Sequence, residues 1–153
     1  DDVLNRIFEA ARWAPSSGNR QPWRFIVAKT PEDLKKWHPI LMDGNLIWAD
    51  KAPILVAVTS EKRAGSHAFD AGAAWGYLAL QAAQEGLITH PMSGIHKDIA
   101  AEILNVPDEY EVQIIIAVGY LGEKEMLTEA LQERETPSGR LPLSDILFES
   151  TFK

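Results

Sequence analysis

The chain has 153 residues, 46% hydrophobic and 24% charged, which fits one globular domain with its own core and excludes disordered, collagenous and low-complexity classes. Lys plus Arg number 15 and Asp plus Glu 22; the net charge of −7 argues against nucleic acid or a membrane surface as partner, yet leaves room for an anionic cofactor held by a few local cations. With no cysteine in the chain, disulfides, thiolate metal sites and thiol nucleophiles are excluded.

Val3, Leu4, Ile7, Phe8, Ala11 and Ala14 recur at three- and four-residue spacing, which predicts an amphipathic helix stopped before Pro15. Residues 15–22, Pro-Ser-Ser-Gly-Asn-Arg-Gln-Pro, form a loop dense in turn formers and hydrogen-bonding side chains. A strand is expected over 23–28, then a helix over 31–41 with Thr30 as cap and Pro31 in its first turn. Asp43-Gly44-Asn45 is a turn signal, and the apolar run 53–59 a buried strand. Residues 66–85 make the longest helix, apolar nearly all round and so expected to be buried on most sides, in part by a second subunit. Its Asp70, Gln81, Gln84 and Glu85 argue against a membrane span; Gly72 and Gly76 permit close packing, and Gly86 is the C-terminal stop. A short strand at 87–89 leads to a Pro91-Met92-Ser93-Gly94 turn, followed by a helix at 97–104 and an apolar strand at 112–120. Residues 123–133 have helical character but strong charge, and the tail from Thr136 is irregular with a short segment at 144–148. Strands interleaved with helices and no internal linker predict one domain over residues 1–153, of α+β or α/β class.

Conventional catalytic constellations are missing from the pattern. His38, His67, His90 and His96 include no helical i, i+4 pair, so no metal is expected, although His90 and His96 flank one turn. Neither a Gly-x-Ser-x-Gly elbow nor a Gly-x-Gly-x-x-Gly or phosphate-loop pattern occurs. No side chain is singled out as catalytic. The 15–22 loop stands apart: Ser16, Ser17, Asn19, Arg20 and Gln21 between two prolines suit a polar ligand needing directed hydrogen bonds, and equally suit a self-bonded turn.

Ala14-Pro15-Ser16-Ser17-Gly18-Asn19-Arg20-Gln21-Pro22-Trp23, followed by Arg24-Phe25-Ile26-Val27, resembles the signature of the nitroreductase family of FMN-dependent NAD(P)H oxidoreductases. Ala52-Pro53, the alanine-rich helix with Asp70, Gly72 and Ala73, Gly86-Leu87, Pro91-Met92-Ser93-Gly94, Val118-Gly119-Tyr120 and Arg140-Leu141-Pro142 match in the same order, so the resemblance spans the chain. It implies an α+β fold: a three-layer sandwich with a mostly antiparallel sheet flanked by helices, dimeric through the 66–85 helix, with the flavin between subunits and the tail reaching across the partner. Pro15, Ser16, Ser17 and Asn19 would contact the flavin held mainly by the other subunit, with Gln21 supporting their loop. Pro91, Met92, Ser93 and Gly94 would lie against the ring, a Ser93 or Gly94 N–H donating where negative charge grows on reduction. Arg140 matches the tail cation at the phosphate, and Asn45 is a ring-edge or ribityl contact. Trp13, Trp48 and Trp75 either border the flavin or simply pack, and Lys97 and Arg24 are surface charges.

The implied chemistry is ping-pong: NAD(P)H delivers hydride to FMN N5, then a nitroaromatic, quinone or activated alkene takes its place and is reduced, with the cofactor carrying the hard step. The partners are a second copy and a small-molecule acceptor, with no nucleic acid and no membrane, and the expected location is cytoplasmic. Three departures qualify the match. The resemblance implies an Arg-rich segment before the first helix, so the chain is expected to be N-terminally truncated; Ser138 stands where a second cation is common; and Ser93 replaces a frequent Glu. Two lost charge-assisted contacts cost roughly 3–6 kcal/mol of phosphate binding. Two alternatives follow: a flavoenzyme of the same fold doing other chemistry, such as dehalogenation or flavin fragmentation, and a non-catalytic dimer module that binds flavin weakly.

Overall fold

In the computed structural model, which describes residues 2–63 and 65–152, the first helix, α1 (Asp2–Arg12), buries Ile7 and Ala11 as the spacing predicts. Strand β1 (Trp23–Ala28) follows, then α2 (Pro31–Trp37), where Thr30 Oγ1 accepts the Asp33 N–H at 3.1 Å and Pro31 occupies the first turn. This helix stops before its expected end at residue 41. Pro39 has no N–H to continue the ladder, and a 3-10 turn over His38–Ile40 carries the chain onward. Asp43-Gly44-Asn45 is not a free turn: it opens a further helix, α3 (Asp43–Ala49), with the acidic residue in the first turn, where the helix dipole favours it.

Strand β2 (Ile54–Glu61) leads to the long helix α4 (His67–Gln84). Gly86 at φ +77° ends it: the Gly86 N–H donates to Ala83 O and the Leu87 N–H to Ala82 O, the two-bond glycine stop. Strand β3 (Ile88–Met92) takes in Pro91 and Met92, expected as part of a turn. As a sheet edge, β3 tolerates a proline. Helix α5 (Lys97–Ile103) and strand β4 (Tyr110–Gly119) complete the sheet unit, Asp1–Leu121.

All three strand pairings are antiparallel, in the order β1-β2-β4-β3. Alternation along β2 places the layers. Val56 and Val58 face one side, where Ile7, Ala11, Ala74, Leu78 and Ile116 form a core under α1 and α4. Leu55 and Ala57 face the other, where Trp37, Ile40, Ala49, Met92, Ala100 and Ile115 form a second core under α2, α3 and α5. Helices on both faces of an antiparallel sheet make the expected three-layer α+β sandwich. Arg6 clips the two helices of one layer together, donating from Nε and Nη2 to the Glu85 carboxylate at 2.7 Å each.

Within the chain α4 is buried on one side only. Ala71, Ala74, Leu78 and Ala82 face the core, while Phe69 and Leu80 are 82% and 74% exposed. A second compact unit, Gly122–Lys153, holds α6 (Glu129–Arg134) and 3-10 turns at Lys124–Met126 and Leu143–Asp145.

Candidate functional site

The 15–22 loop is self-bonded in its backbone and open in its side chains. Ser16 is its hub: its carbonyl accepts the Asn19 N–H at 3.0 Å and its Oγ accepts the Gln21 N–H at 2.9 Å. Gly18, Asn19 and Gln21 all take left-handed backbone, at φ +57°, +54° and +48°. For non-glycine residues that conformation costs of order 1–3 kcal/mol each, so Asn19 and Gln21 need a frame to hold them. Gln21 Nε2 adds a bond to Asn19 O at 3.1 Å, and Arg24 Nη1 donates to Gln21 O at 3.0 Å. Pro22 is fully buried and fixes the loop's far end, whereas Pro15, Ser17, Asn19, Arg20 and Gln21 are exposed. The loop therefore presents the Ser17 hydroxyl, the Asn19 amide, the Gln21 amide oxygen and the Arg20 guanidinium from a pre-set backbone.

The frame also includes a residue not among those expected in the site. Asp70, in the first turn of α4, is 4% exposed, and its Oδ2 accepts the Ser17 N–H at 3.1 Å and the Ser66 hydroxyl at 2.9 Å. Burying a carboxylate is costly unless it is hydrogen-bonded, and a bond to an ionised acceptor contributes about 1.5–3 kcal/mol. That is the size of the strain in one left-handed residue. The signal was visible in the sequence, since Asp70 is the only carboxylate in an otherwise apolar 67–84 run; its partner, 53 residues away, was not.

The second candidate group lies where β3 leaves the sheet. Pro91 and Ser93 are exposed and Gly94 half-buried, but the Met92 side chain is 2% exposed and belongs to the core, so only its backbone can serve a ligand. Among the described residues no hydrogen bond runs from the Ser93 or Gly94 N–H, which leaves two adjacent donors. The peptide that follows them is held from α3. The Gly94 carbonyl accepts the Met42 N–H at 3.1 Å and Asn45 Nδ2 at 2.9 Å. A Cβ at Gly94 would stand 2.7 Å from Asn45 Nδ2, so only glycine allows this approach. Asn45 thus spends its amide nitrogen on the Gly94 carbonyl, in the 94–95 peptide, rather than presenting it outward.

Arg140 lies in the second unit, where its Nη1 donates to Ser138 O, Ser138 Oγ and Gly139 O. Trp48 packs on His90 with ring centroids 4.5 Å apart, and Trp13 is exposed with its indole N–H on Glu9. The Trp75 indole N–H is buried with no partner among the described residues. Lys97 pairs with Glu111 at 3.1 Å and holds its carboxyl below the ordinary range. Buried Ser60 accepts Gln113 Nε2 at 2.9 Å and lies 2.8 Å from His67 Nδ1, closing a polar network between sheet and helix. Among the described residues no group of acidic or histidine side chains is placed to hold a metal, and no helix is long and apolar enough to cross a membrane.

A three-layer antiparallel sandwich of this topology is shared with oxidoreductases that contain FMN. The nitroreductase family model matches residues 1–46 and 38–120, and the chain belongs to that family. A solved structure described as an oxidoreductase containing FMN superposes with a TM-score of 0.94 at 43% identity, covering 100% of this chain and 83% of that one. The NADH dehydrogenase of Thermus thermophilus is 26% identical over 185 aligned positions, covering 96% of this chain and 84% of that protein. The iodotyrosine deiodinase of Thermotoga neapolitana is 28% identical over 146, covering 78% and 76%.

Proposed function

We propose that the chain is an FMN-dependent oxidoreductase, acting as a homodimer, that passes hydride from NAD(P)H to a small-molecule acceptor of the nitroaromatic, quinone or activated-alkene kind. The observation that carries this reading is the 15–22 loop: strained backbone is retained there and its polar side chains are left open, as a site for a polar ligand requires. The donor set suits a flavin mononucleotide. Pro15, Ser16, Ser17, Asn19 and Gln21 would hold it through hydroxyls, amides and backbone, and Arg140 would meet its phosphate. Pro91 and the Met92 backbone would line the ring, and the open Ser93 and Gly94 N–H groups would donate to its edge, with Asn45 holding the Gly94 carbonyl that follows them. When bound, FMN supplies the hydride relay between nicotinamide and acceptor. The chain's own groups bind and orient; fixed N–H donors at the ring edge favour the reduced, more negative form.

The exposed apolar stripe of α4, with Phe69, Tyr77 and Leu80 beside open Gly72 and Gly76, supports dimerisation on this helix. Exposed Leu141, Leu143, Ile146, Leu147 and Phe152 in the tail support its packing on the partner copy. Likeness to a deiodinase favours reductive dehalogenation as a second reading, so the acceptor panel includes iodinated tyrosine. The test is an FMN titration of the purified protein with Gln21→Ala and Arg140→Ala. Both variants are expected to weaken FMN binding more than folding. A wild-type chain that takes up no FMN contradicts the reading and leaves a non-flavin module; equal loss of binding and stability contradicts the two roles.

A further inference from the structure

We infer that Asp70 is a positioning residue for the cofactor loop: it holds the backbone of residues 15–21 in ligand-ready form by seizing the Ser17 N–H. The inference rests on the FMN reading for its consequence and on geometry for its cause. Three polar side chains are buried among the described residues, Thr59, Ser60 and Asp70, and Asp70 alone carries an acidic group. Thr59 and Ser60 bond within the sheet and to its neighbours. Asp70 instead reaches out of its helix to a loop 53 residues earlier.

What it grips decides the loop's shape. Ser17 opens the 3-10 turn Ser17–Asn19, and its carbonyl accepts the Arg20 N–H at 3.2 Å. Fixing the Ser17 N–H sets the 16–17 peptide plane. That plane aims the Ser16 carbonyl at Asn19, while the Ser16 hydroxyl separately accepts from Gln21, the other non-glycine left-handed residue of the loop. The Ser66 hydroxyl, on the same Oδ2, fixes the carboxylate's own orientation. Asp70 also sits on α4 next to exposed Phe69, so the helix proposed to meet the second copy is the one that holds the loop.

The replacement that isolates this role is Asp70→Asn, which keeps shape and an acceptor while removing charge. A control, Ala74→Gly, lowers stability from the buried side of the same helix without touching the loop. Hydrogen exchange is measured first on the FMN-free proteins. Asp70→Asn is expected to speed exchange of the 16–21 amides about fivefold to tenfold, the change in opening equilibrium that follows from the free-energy difference between a charge-assisted and a neutral hydrogen bond, while Ala74→Gly leaves them unchanged relative to global stability. FMN titration follows. The Kd of Asp70→Asn is expected to rise by about the same factor, and that of Ala74→Gly to stay within about twofold. If Asp70→Asn does not fold, Ser66→Ala, which frees the carboxylate's rotamer, must still speed loop exchange. Unchanged loop exchange overturns the inference, as does an equal effect of the two helix variants on FMN binding at equal loss of stability. Should the wild type bind no FMN, the functional reading fails, while the exchange data still decide whether Asp70 holds the loop.

Discussion

Replacing Gly94 with alanine tests whether the turn after β3 is pinned from α3. The new Cβ would meet Asn45 Nδ2 at 2.7 Å, too close to coexist with the present geometry. The obstacle is the end of a flexible side chain, so Asn45 swings away and its bond to the Gly94 carbonyl is lost, at about 0.5–1.5 kcal/mol. The carbonyl keeps its Met42 N–H partner, which limits the loss to that one bond. Against it stands a gain: Gly94 does not have left-handed backbone, and alanine there restricts the unfolded chain, worth about 0.4–1 kcal/mol. The net effect of Gly94→Ala alone is therefore near zero. In an Asn45→Ala background the clash and the bond are already gone, so the same change is expected to stabilise by about 0.4–1 kcal/mol. Urea unfolding of the four proteins closes the cycle, with an expected coupling of about 0.5–1.5 kcal/mol between positions 49 apart in sequence. Additive effects, or a single-variant loss above about 3 kcal/mol, would refute the proposed pinning.

Gly86→Ala places a side chain at φ +77° with open space around it, so the cost is conformational alone: about 1 kcal/mol, read as a Tm lower by roughly 2–4 °C. An unchanged Tm would mean that the α4 stop does not need glycine. Glu85 is held below its ordinary value chiefly by its hydrogen bonds to Arg6, so its contribution is present above about pH 4.5 and is lost as pH falls through its lowered folded value. The Tm gap between wild type and Glu85→Gln should accordingly shrink between pH 7 and pH 3, in a differential scanning experiment; a constant gap would assign Glu85 no linked role. Leu80→Asp places a charge in the α4 stripe and is expected to shift the protein to a monomer on size exclusion, whereas an unchanged dimer would locate the interface elsewhere.

Legibility in the sequence followed the range of the interactions. Helix α1, the core strands and the glycine stop after α4 depend on local spacing and local backbone, and each was readable. The element pattern left α+β and α/β open, and the resemblance to the nitroreductase family pointed to the layered α+β sandwich; the structure shows how β2 divides its side chains between the two cores. Asp43-Gly44-Asn45 misled because the residues that start a turn also start a helix, and only packing of Leu46 and Ala49 on the second core chooses between them. Pro91 reads as a breaker until β3 is known to be an edge. In the candidate site, the polar loop was visible as composition, but what holds it was not. The Asp70 grip on Ser17 and the Asn45 grip on Gly94 join residues about fifty positions apart, and no periodicity reports such pairs. The apolar excess of α4 was likewise visible, though not which side of it stays uncovered.

The central claim is that this chain binds FMN and uses it to move hydride. Its most direct test is anaerobic: load the protein with FMN, add NADH or NADPH, follow the flavin's visible band, then add an acceptor. The account predicts that the band bleaches with the nicotinamide and returns with a nitroaromatic, a quinone, an activated alkene or an iodinated tyrosine. A flavin that stays bound and oxidised in the presence of both nicotinamides would contradict it.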